Sequence, residues 1–290
     1  MPAKLQLAKI SLNGRNNEEI SKIFNSICAS KISGPISYIF FLDNNGRYVA
    51  DAFFLAILAE NMKFFENSSK KFDEISEKNS DENFENYDPE KFHYFLATFP
   101  EIFEKLQNHL KKIDFRKQIK IDRVESFFAY MVPDSIAKNS TFFGLNGGVY
   151  EVVNELFNSE KNLETDCAFD KQTFVFNDPR NLGKIILTNS LPKNLEKKLN
   201  FEHENMRIMA EIAEFYDFEN SKIPLEYGKI SKFISSEKGC YCGQEIIQKI
   251  RVLGQIRKTV KTIPNSELSS HEIIKILAKN EDFSMILTKI

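Results

Sequence analysis

The stretch Lys238-Gly239-Cys240-Tyr241-Cys242-Gly243-Gln244-Glu245, continued by Ile246-Ile247-Gln248-Lys249-Ile250-Arg251-Val252-Leu253-Gly254, carries the decisive reading of this chain. Past Cys242, the residues Ile246, Ile247, Ile250 and Leu253 fall on one side of a short amphipathic helix, and Gly254 gives it a natural stop. Cys240 therefore stands just before a helix N-terminus. Unpaired backbone N–H groups and the helix dipole favour negative charge there, and Lys238 adds a cation. A Cys240 thiolate is expected to be stabilised relative to a free cysteine, whose pKa is about 8.5. A cysteine beside a loop is ordinarily a small buried or incidental residue, so from these residues alone both readings stand. Cys242 makes a Cys-x-Cys with Cys240, which leaves a transient cluster or redox contact through both thiols open. A closed zinc site would need four ligands, and none of His93, His109, His203 and His271 has ligand spacing with the pair; no metal site is expected.

Working outward, residues 37–58 are apolar except at Asp43-Asn44-Asn45-Gly46-Arg47, a run of turn formers that joins two strands into a hairpin. Residues 66–90 are rich in Glu, Asp, Asn, Ser and Lys. They cannot bury enough apolar surface to offset their ordering entropy and read as a mobile acidic insertion. A strand is expected at residues 92–97. Pro100 then opens a helix whose Ile102, Phe103, Leu106, Leu110 and Ile113 share a face. Two extended segments follow, at 117–124 and 126–132, and Asn146-Gly147-Gly148 is a turn. Strands at 174–176 and 185–187 flank the loop Asp178-Pro179-Arg180-Asn181-Leu182-Gly183, and residues 192–216 have helical composition with Pro224 marking the exit. Strands mixed with helices in this order define an α+β chain.

At 290 residues and 42% hydrophobic content the chain can bury a core without disulfides or a structural metal. Lys plus Arg (39) nearly balances Asp plus Glu (41), so no overall basic field draws it to nucleic acid or an anionic membrane. Four scattered cysteines, Cys28, Cys167, Cys240 and Cys242, are too few for a secreted disulfide framework and point to a reducing compartment. No signal or transit pattern begins the chain and no window reaches about 18 consecutive apolar residues; a bacterial cytoplasm is the expected address. Gly-x-Ser-x-Gly, Walker, dinucleotide-glycine and His-Glu-x-x-His motifs are missing, which removes hydrolase and NTPase readings.

The string Lys-Gly-Cys-Tyr-x-Gly-Gln-Glu resembles the signature of the YgfZ family, folate-binding proteins of iron-sulfur cluster assembly related to the aminomethyltransferase of the glycine cleavage system. Every specified position is present, at Lys238, Gly239, Cys240, Tyr241, Gly243, Gln244 and Glu245. Other stretches fall in the family's order. Residues 41–47 look like its early hairpin, and Phe115-Arg116-Lys117-Gln118-Ile119 like its Leu-Arg-x-Lys-Val strand start. Asp178-Pro179-Arg180 with Gly183 is similar to its Asp-Pro-Arg loop, and Ile223-Pro224-Leu225-Glu226 to its Ile-Pro-x-Glu segment.

The resemblance implies an aminomethyltransferase-like ring of subdomains around a folate-sized hole, formed by residues 1–258 with the insertion at 66–90. A shortened C-terminal β-barrel segment would occupy residues 259–290. It implies tetrahydrofolate or a derivative as ligand, with Glu226 at the pterin edge. Arg207 and Arg180 either meet the glutamate tail or brace loops. Gln244 and Glu245 are read as helix-start residues that satisfy backbone donors ahead of any ligand contact. The relatives carry Thr-Asn-Asp near the N-terminus, whereas the matching stretch here, Asn25-Ser26-Ile27-Cys28-Ala29-Ser30-Lys31, has Lys31 at the Asp, which counts against aminomethyl transfer.

Three functions follow from the resemblance. The first is a folate-binding accessory factor that assembles or repairs iron-sulfur proteins, including enzymes that modify transfer RNA, through Cys240; its partners would be reduced folate and iron-sulfur client or assembly proteins. The second is a folate-dependent aminomethyl or C1 transferase. The third is a degenerate binding module with no catalysis.

Overall fold

A computed structural model describes residues 4–12, 18–34, 36–58, 92–114, 118–133, 174–188, 193–219, 223–254, 256–270 and 272–290. The acidic insertion, the turn at 146–148, residues 115–117 and Cys167 lie outside these. The main sheet has seven strands: β1 (Lys4–Leu12), β2 (Ile36–Leu42), β3 (Tyr48–Leu58), β4 (Phe92–Thr98), β5 (Ile119–Val132), β6 (Phe174–Asn177) and β7 (Lys184–Thr188). They run in the order β2-β3-β4-β1-β5-β7-β6, with antiparallel neighbours throughout.

The hairpin expected around residues 43–47 is β2–β3, with Tyr38 opposite Phe53 and Phe40 opposite Asp51. Its strands are continuous apolar runs because both of their faces are covered. On one face, α1 (Glu18–Ile27) sets Phe24 against Phe41 and Phe54, with ring centroids 6.4 and 5.3 Å apart. The proline-started helix is α2 (Pro100–Ile113); it buries Ile102, Phe103, Leu106 and Leu110, as the sequence spacing requires. On the other face, Tyr38, Phe40 and Tyr48 meet Phe218 and Phe233 from short 3-10 turns at Phe215–Glu219 and Gly228–Phe233.

The two extended segments expected at 117–132 are one strand, β5, interrupted opposite β1. Pairing jumps from Gln6–Phe128 to Ala8–Arg123, and the Gln6 side-chain amide donates to the carbonyls of Leu7 and Val124 across the irregularity. The long helix also differs from expectation. α3 (Lys193–Ala210) stops six residues before Tyr216, because Glu211 turns left-handed (φ 57°) and the N–H groups of Glu211 and Ile212 close onto the carbonyls of Ile208 and Arg207. The chain then folds back over α3. A glutamate gives no sequence signal for such a turn, where glycine is usual.

Residues beyond α4 (Gln244–Val252) form a second sheet of β8 (Lys258–Pro264), β9 (Ile273–Lys279) and β10 (Phe283–Lys289) in the order β8-β10-β9. It is an open three-stranded sheet, whose central strand buries Met285, Ile286 and Leu287 completely. Thr262 ties it to α3, donating from its hydroxyl to Ile208 and from its N–H to the Glu211 carboxylate, 3.1 Å away. No helix among the described residues is long and apolar enough to cross a membrane.

Candidate functional site

The signature residues form a loop between the 3-10 turn at Gly228–Phe233 and α4, and the loop sits on the tip of the β2–β3 hairpin. Gly243 caps α4 in the left-handed region (φ 80°). A Cβ there would lie 2.4 Å from the Asp43 carbonyl oxygen and 2.7 Å from the Gly46 Cα. Gly46 is itself left-handed (φ 69°), at the end of the turn, and its space is bounded by Ile247 of α4. Two glycines thus let two backbones meet where any side chain would separate them. The hairpin turn is shaped by the Asp43 side chain, which accepts from the N–H groups of Asn45 and Arg47.

The remaining signature side chains hold the loop from beneath. Tyr241 is buried; its hydroxyl donates to the Ser235 carbonyl at 3.1 Å, and burial pushes its pKa up. Gln244 donates from its amide to the Lys238 carbonyl (3.2 Å) and from its N–H to Tyr241; its side chain thus serves a backbone acceptor of the loop, not the backbone donors at the helix start that the sequence suggested, and α4 has no side-chain cap. Arg251 of α4 donates to the Ile234 carbonyl at 2.6 Å. Ser235 anchors the loop start to Ala29 (2.8 Å). Of the residues around it, Cys240 is exposed, and a Cβ on its neighbour Gly239 would meet nothing within 4 Å.

Lys238 does not serve Cys240 as the sequence suggested. Its ammonium donates to the carbonyls of Cys28 and Ser30, lies 3.9 Å from the Cys28 Sγ, and sits 5.5 Å over the Tyr241 ring. Burial lowers the Lys238 pKa against the pull of Cys28, and burial raises the Cys28 thiol against the pull of Lys238. The cation went to the turn after α1 because three acceptors converge there, whereas the exposed Cys240 has water for company. Replacing Lys238 with methionine should therefore loosen residues 28–30: Cys28, now fully buried, should react with a thiol reagent roughly tenfold faster or more, since each charged hydrogen bond contributes about 1.5–3 kcal/mol. Unchanged labelling kinetics would show that packing alone holds this turn.

Cys242 is half-buried, and its thiol donates to the Asn44 Oδ1 at 2.9 Å, a second tie between signature and hairpin. Among the described residues no cluster of three or more His, Cys, Asp or Glu side chains could hold a metal. Leu253, expected on the buried side of α4, is 53% exposed; Ile247 is buried and Ile250 packs partly buried against the core.

Arg180 and Arg207 belong to a separate, buried ion network. Arg180 donates to both oxygens of Asp178 and to Glu214, and its guanidinium lies 5.0 Å over the Tyr38 ring. Arg207 donates to both oxygens of Glu204 and to Asp217. Glu214 also faces the His203 Nε2 at 2.8 Å. Both arginine side chains have no exposed surface, and both brace the 178–183 loop, α3 and the fold-back that follows it; neither presents a cation to a ligand's carboxylate tail. Burial opposes the Glu214 charge, but His203, Arg180 and Arg207 together hold its carboxyl well below the usual range. Burial pushes Asp217 up to about 7 against Arg207. Glu226 lies in the 3-10 turn Pro224–Glu226, with a Lys258 ammonium 3.5 Å from its carboxylate. Lys31 is exposed at the end of the turn that Lys238 holds.

Sequence reasoning missed Cys28, Asn44 and Glu214 as partners, each far along the chain from the residue it serves, with no local pattern to mark it. Asp178 stood inside the quoted Asp178-Pro179-Arg180 motif, two residues from the Arg180 it pairs with.

No protein-family model matches this chain, and no curated protein matches its sequence. Solved structures do match. One is the crystal structure of glycine cleavage system aminomethyltransferase T from Bartonella henselae, with a TM-score of 0.56 and 9% sequence identity over 98% of this chain and 76% of that one. The likeness is one of fold: this chain is built as that aminomethyltransferase is.

Proposed function

We propose that this chain is a folate-binding accessory factor that assembles or repairs iron-sulfur proteins, tRNA-modifying enzymes among them, and that Cys240 is its working group. The observation that carries the reading is the contrast within the signature: Tyr241, Lys238, Gly243 and Gln244 are committed to holding the loop, whereas Cys240, its one exposed thiol, stands open to solvent between exposed Gly239 and the buried Tyr241, with Glu245 also exposed. A thiolate is the donor that iron-sulfur chemistry uses. One thiolate on a fixed loop can engage a client's iron as substrate without retaining it.

Reduced folate is the proposed ligand because the fold is shared with an aminomethyltransferase and the signature resembles that of a folate-binding family. Of the three residues proposed for it, Arg180 and Arg207 are closed off by carboxylates, so Glu226 is the remaining candidate, for the pterin edge. A soluble bacterial cytoplasmic setting completes the proposal.

Two measurements test it. Anaerobic calorimetry with tetrahydrofolate should give saturable binding that weakens about tenfold or more in Glu226→Ala, the loss of one charged hydrogen bond. No heat at millimolar folate would remove the ligand and leave a folate-independent factor or a decayed module. Cys240→Ser should leave the melting temperature unchanged, since the side chain is exposed, while cluster-dependent enzymes in the same cell lose activity. Full client activity with Cys240→Ser would overturn the assignment of Cys240.

The shared fold also favours a second reading, folate-dependent aminomethyl transfer. It requires turnover of an aminomethyl donor in the purified protein. The exposed Lys31 where the relatives have an acid argues against it.

A further inference from the structure

We infer that Cys242 is a resolving thiol for Cys240, so that the signature loop cycles between a dithiol docked on the β2–β3 hairpin and an internal Cys240–Cys242 disulfide released from it. The two cysteines are two residues apart, one exposed and one half-buried, in a chain that uses cysteine only four times. They flank Tyr241, whose buried ring and hydroxyl bond to Ser235 fix the centre of the segment. The Gln244 N–H closes a turn onto the Tyr241 carbonyl, which bends the chain just where Cys242 stands. Neither Sγ is committed to a metal or a disulfide among the described residues.

The division of labour follows from the surroundings. The Cys242 thiol is held protonated by burial and by the nearby Asp43 carboxylate, and it is parked on the Asn44 amide oxygen at 2.9 Å. Cys240 has the open approach that an incoming oxidant needs. With a small disulfide such as oxidised glutathione as oxidant, the Cys240 thiolate attacks one of its sulfurs. A bond forms between Cys240 and glutathione, and one glutathione thiolate leaves. That thiolate, or water, takes the Cys242 proton. The Cys242 sulfur then attacks the Cys240 sulfur, the internal S–S bond forms, and the second glutathione leaves as thiolate. Two protein thiols have lost two electrons, and one disulfide has become two thiols.

The ring closed by a Cys-x-Cys disulfide is small and strained, and strained, exposed disulfides are the readily reduced ones, which suits a reversible state and not a structural bond. The step has a price in contacts. Cys242 cannot hydrogen-bond Asn44 through a proton it has lost, so oxidation removes a tie between the signature and the hairpin and leaves the glycine contact of Gly243 with Asp43 and Gly46. Cys28 takes no part: it is fully buried and held beneath Lys238.

The inference rests on Cys240 as the reactive group of the proposed function, and the two fail separately: folate calorimetry does not read thiol state, and the mass of a thiol does not read folate. The test incubates the full chain with oxidised glutathione and maps the products by mass spectrometry of the peptide that holds both cysteines. The wild type should yield that peptide lighter by two hydrogens, with no glutathione attached, whereas Cys242→Ser should stop at a stable glutathione adduct on Cys240. Asn44→Ala, which removes the dithiol's hydrogen bond and not a sulfur, should shift the thiol–disulfide equilibrium roughly fivefold toward the disulfide, the equivalent of one ordinary hydrogen bond. A glutathione adduct accumulating on wild-type Cys240 as it does in Cys242→Ser would overturn the inference, as would a disulfide from Cys240 to a second chain. An equilibrium indifferent to Asn44→Ala would overturn the coupling to the hairpin.

Discussion

Gly243→Ala should lower the stability of the folded chain by about 2–5 kcal/mol and detach the signature loop from the hairpin. A left-handed residue with a Cβ costs about 1–2 kcal/mol, and overpacking a filled site adds about 1–3. Here the new atom would fall 2.4 Å from the Asp43 carbonyl oxygen and 2.7 Å from the Gly46 Cα, both backbone, so no side-chain rotation relieves it. Either the turn at residues 43–47 or the start of α4 must move. Denaturant unfolding would give the loss of stability, and hydrogen exchange would locate it at residues 43–47 and 239–246. Gly239→Ala is the control from the same loop: a Cβ there meets nothing within 4 Å, so the change should stay within about 0.5 kcal/mol. Equal stability of the two variants would mean that the close approach of the two glycines does not hold the site.

Glu214→Gln should cost about 3–5 kcal/mol, seen as a fall of roughly 10 °C in melting temperature. The amide keeps the shape but leaves Arg180 and Arg207, both fully buried, with one counter-charge fewer, and an uncompensated buried charge is the costly state. The same residue sets an acid limit. Because the folded-state pKa of Glu214 is depressed below its ordinary 4.5, its contribution is fully present above pH 4.5 and is lost as pH falls toward the folded value. The part of the stability difference between wild type and Glu214→Gln that comes from Glu214's own ionisation should therefore be flat above that pH and shrink below it. A difference that stays constant into strong acid would show that Glu214 is not ionised in the folded protein. Asp217, whose folded-state pKa is raised by burial and in part by the Glu214 charge, acts in the opposite sense: its ionisation between pH 3.8 and about 7 erodes stability, and less so in Glu214→Gln, which adds a slope of its own to the difference over that range.

Much of the fold could be read locally. The β2–β3 hairpin was legible because an apolar run broken by Asp43-Asn44-Asn45-Gly46-Arg47 has few other ways to bury itself. Pro100 with Ile102, Phe103, Leu106 and Leu110 named a helix start and its buried face, and both stand in the structure. The strands on either side of residues 178–183 were legible for the same reason, a turn between β-formers. The stop of α3 at Ala210 was not. Glu211 is a good helix former, and it turns left-handed where the chain folds back and brings Asp217 and Glu214 against Arg207.

What the sequence determined by itself, then, is a set of elements and a signature: an α+β chain, a cysteine ahead of a helix, and residues whose order resembles a family. Hydrophobic periodicity, proline and turn chemistry act over a few neighbouring residues, so they are readable from neighbours. Only the tertiary structure decided where the charges and glycines act. It moved Lys238 from Cys240 to Cys28, set Gly243 on Gly46, parked Cys242 on Asn44 and brought Glu214 onto Arg180. Each of those contacts pays off only when segments remote along the chain are packed together, because a charge or hydrogen bond gains most from partners in a buried setting that no single segment makes alone.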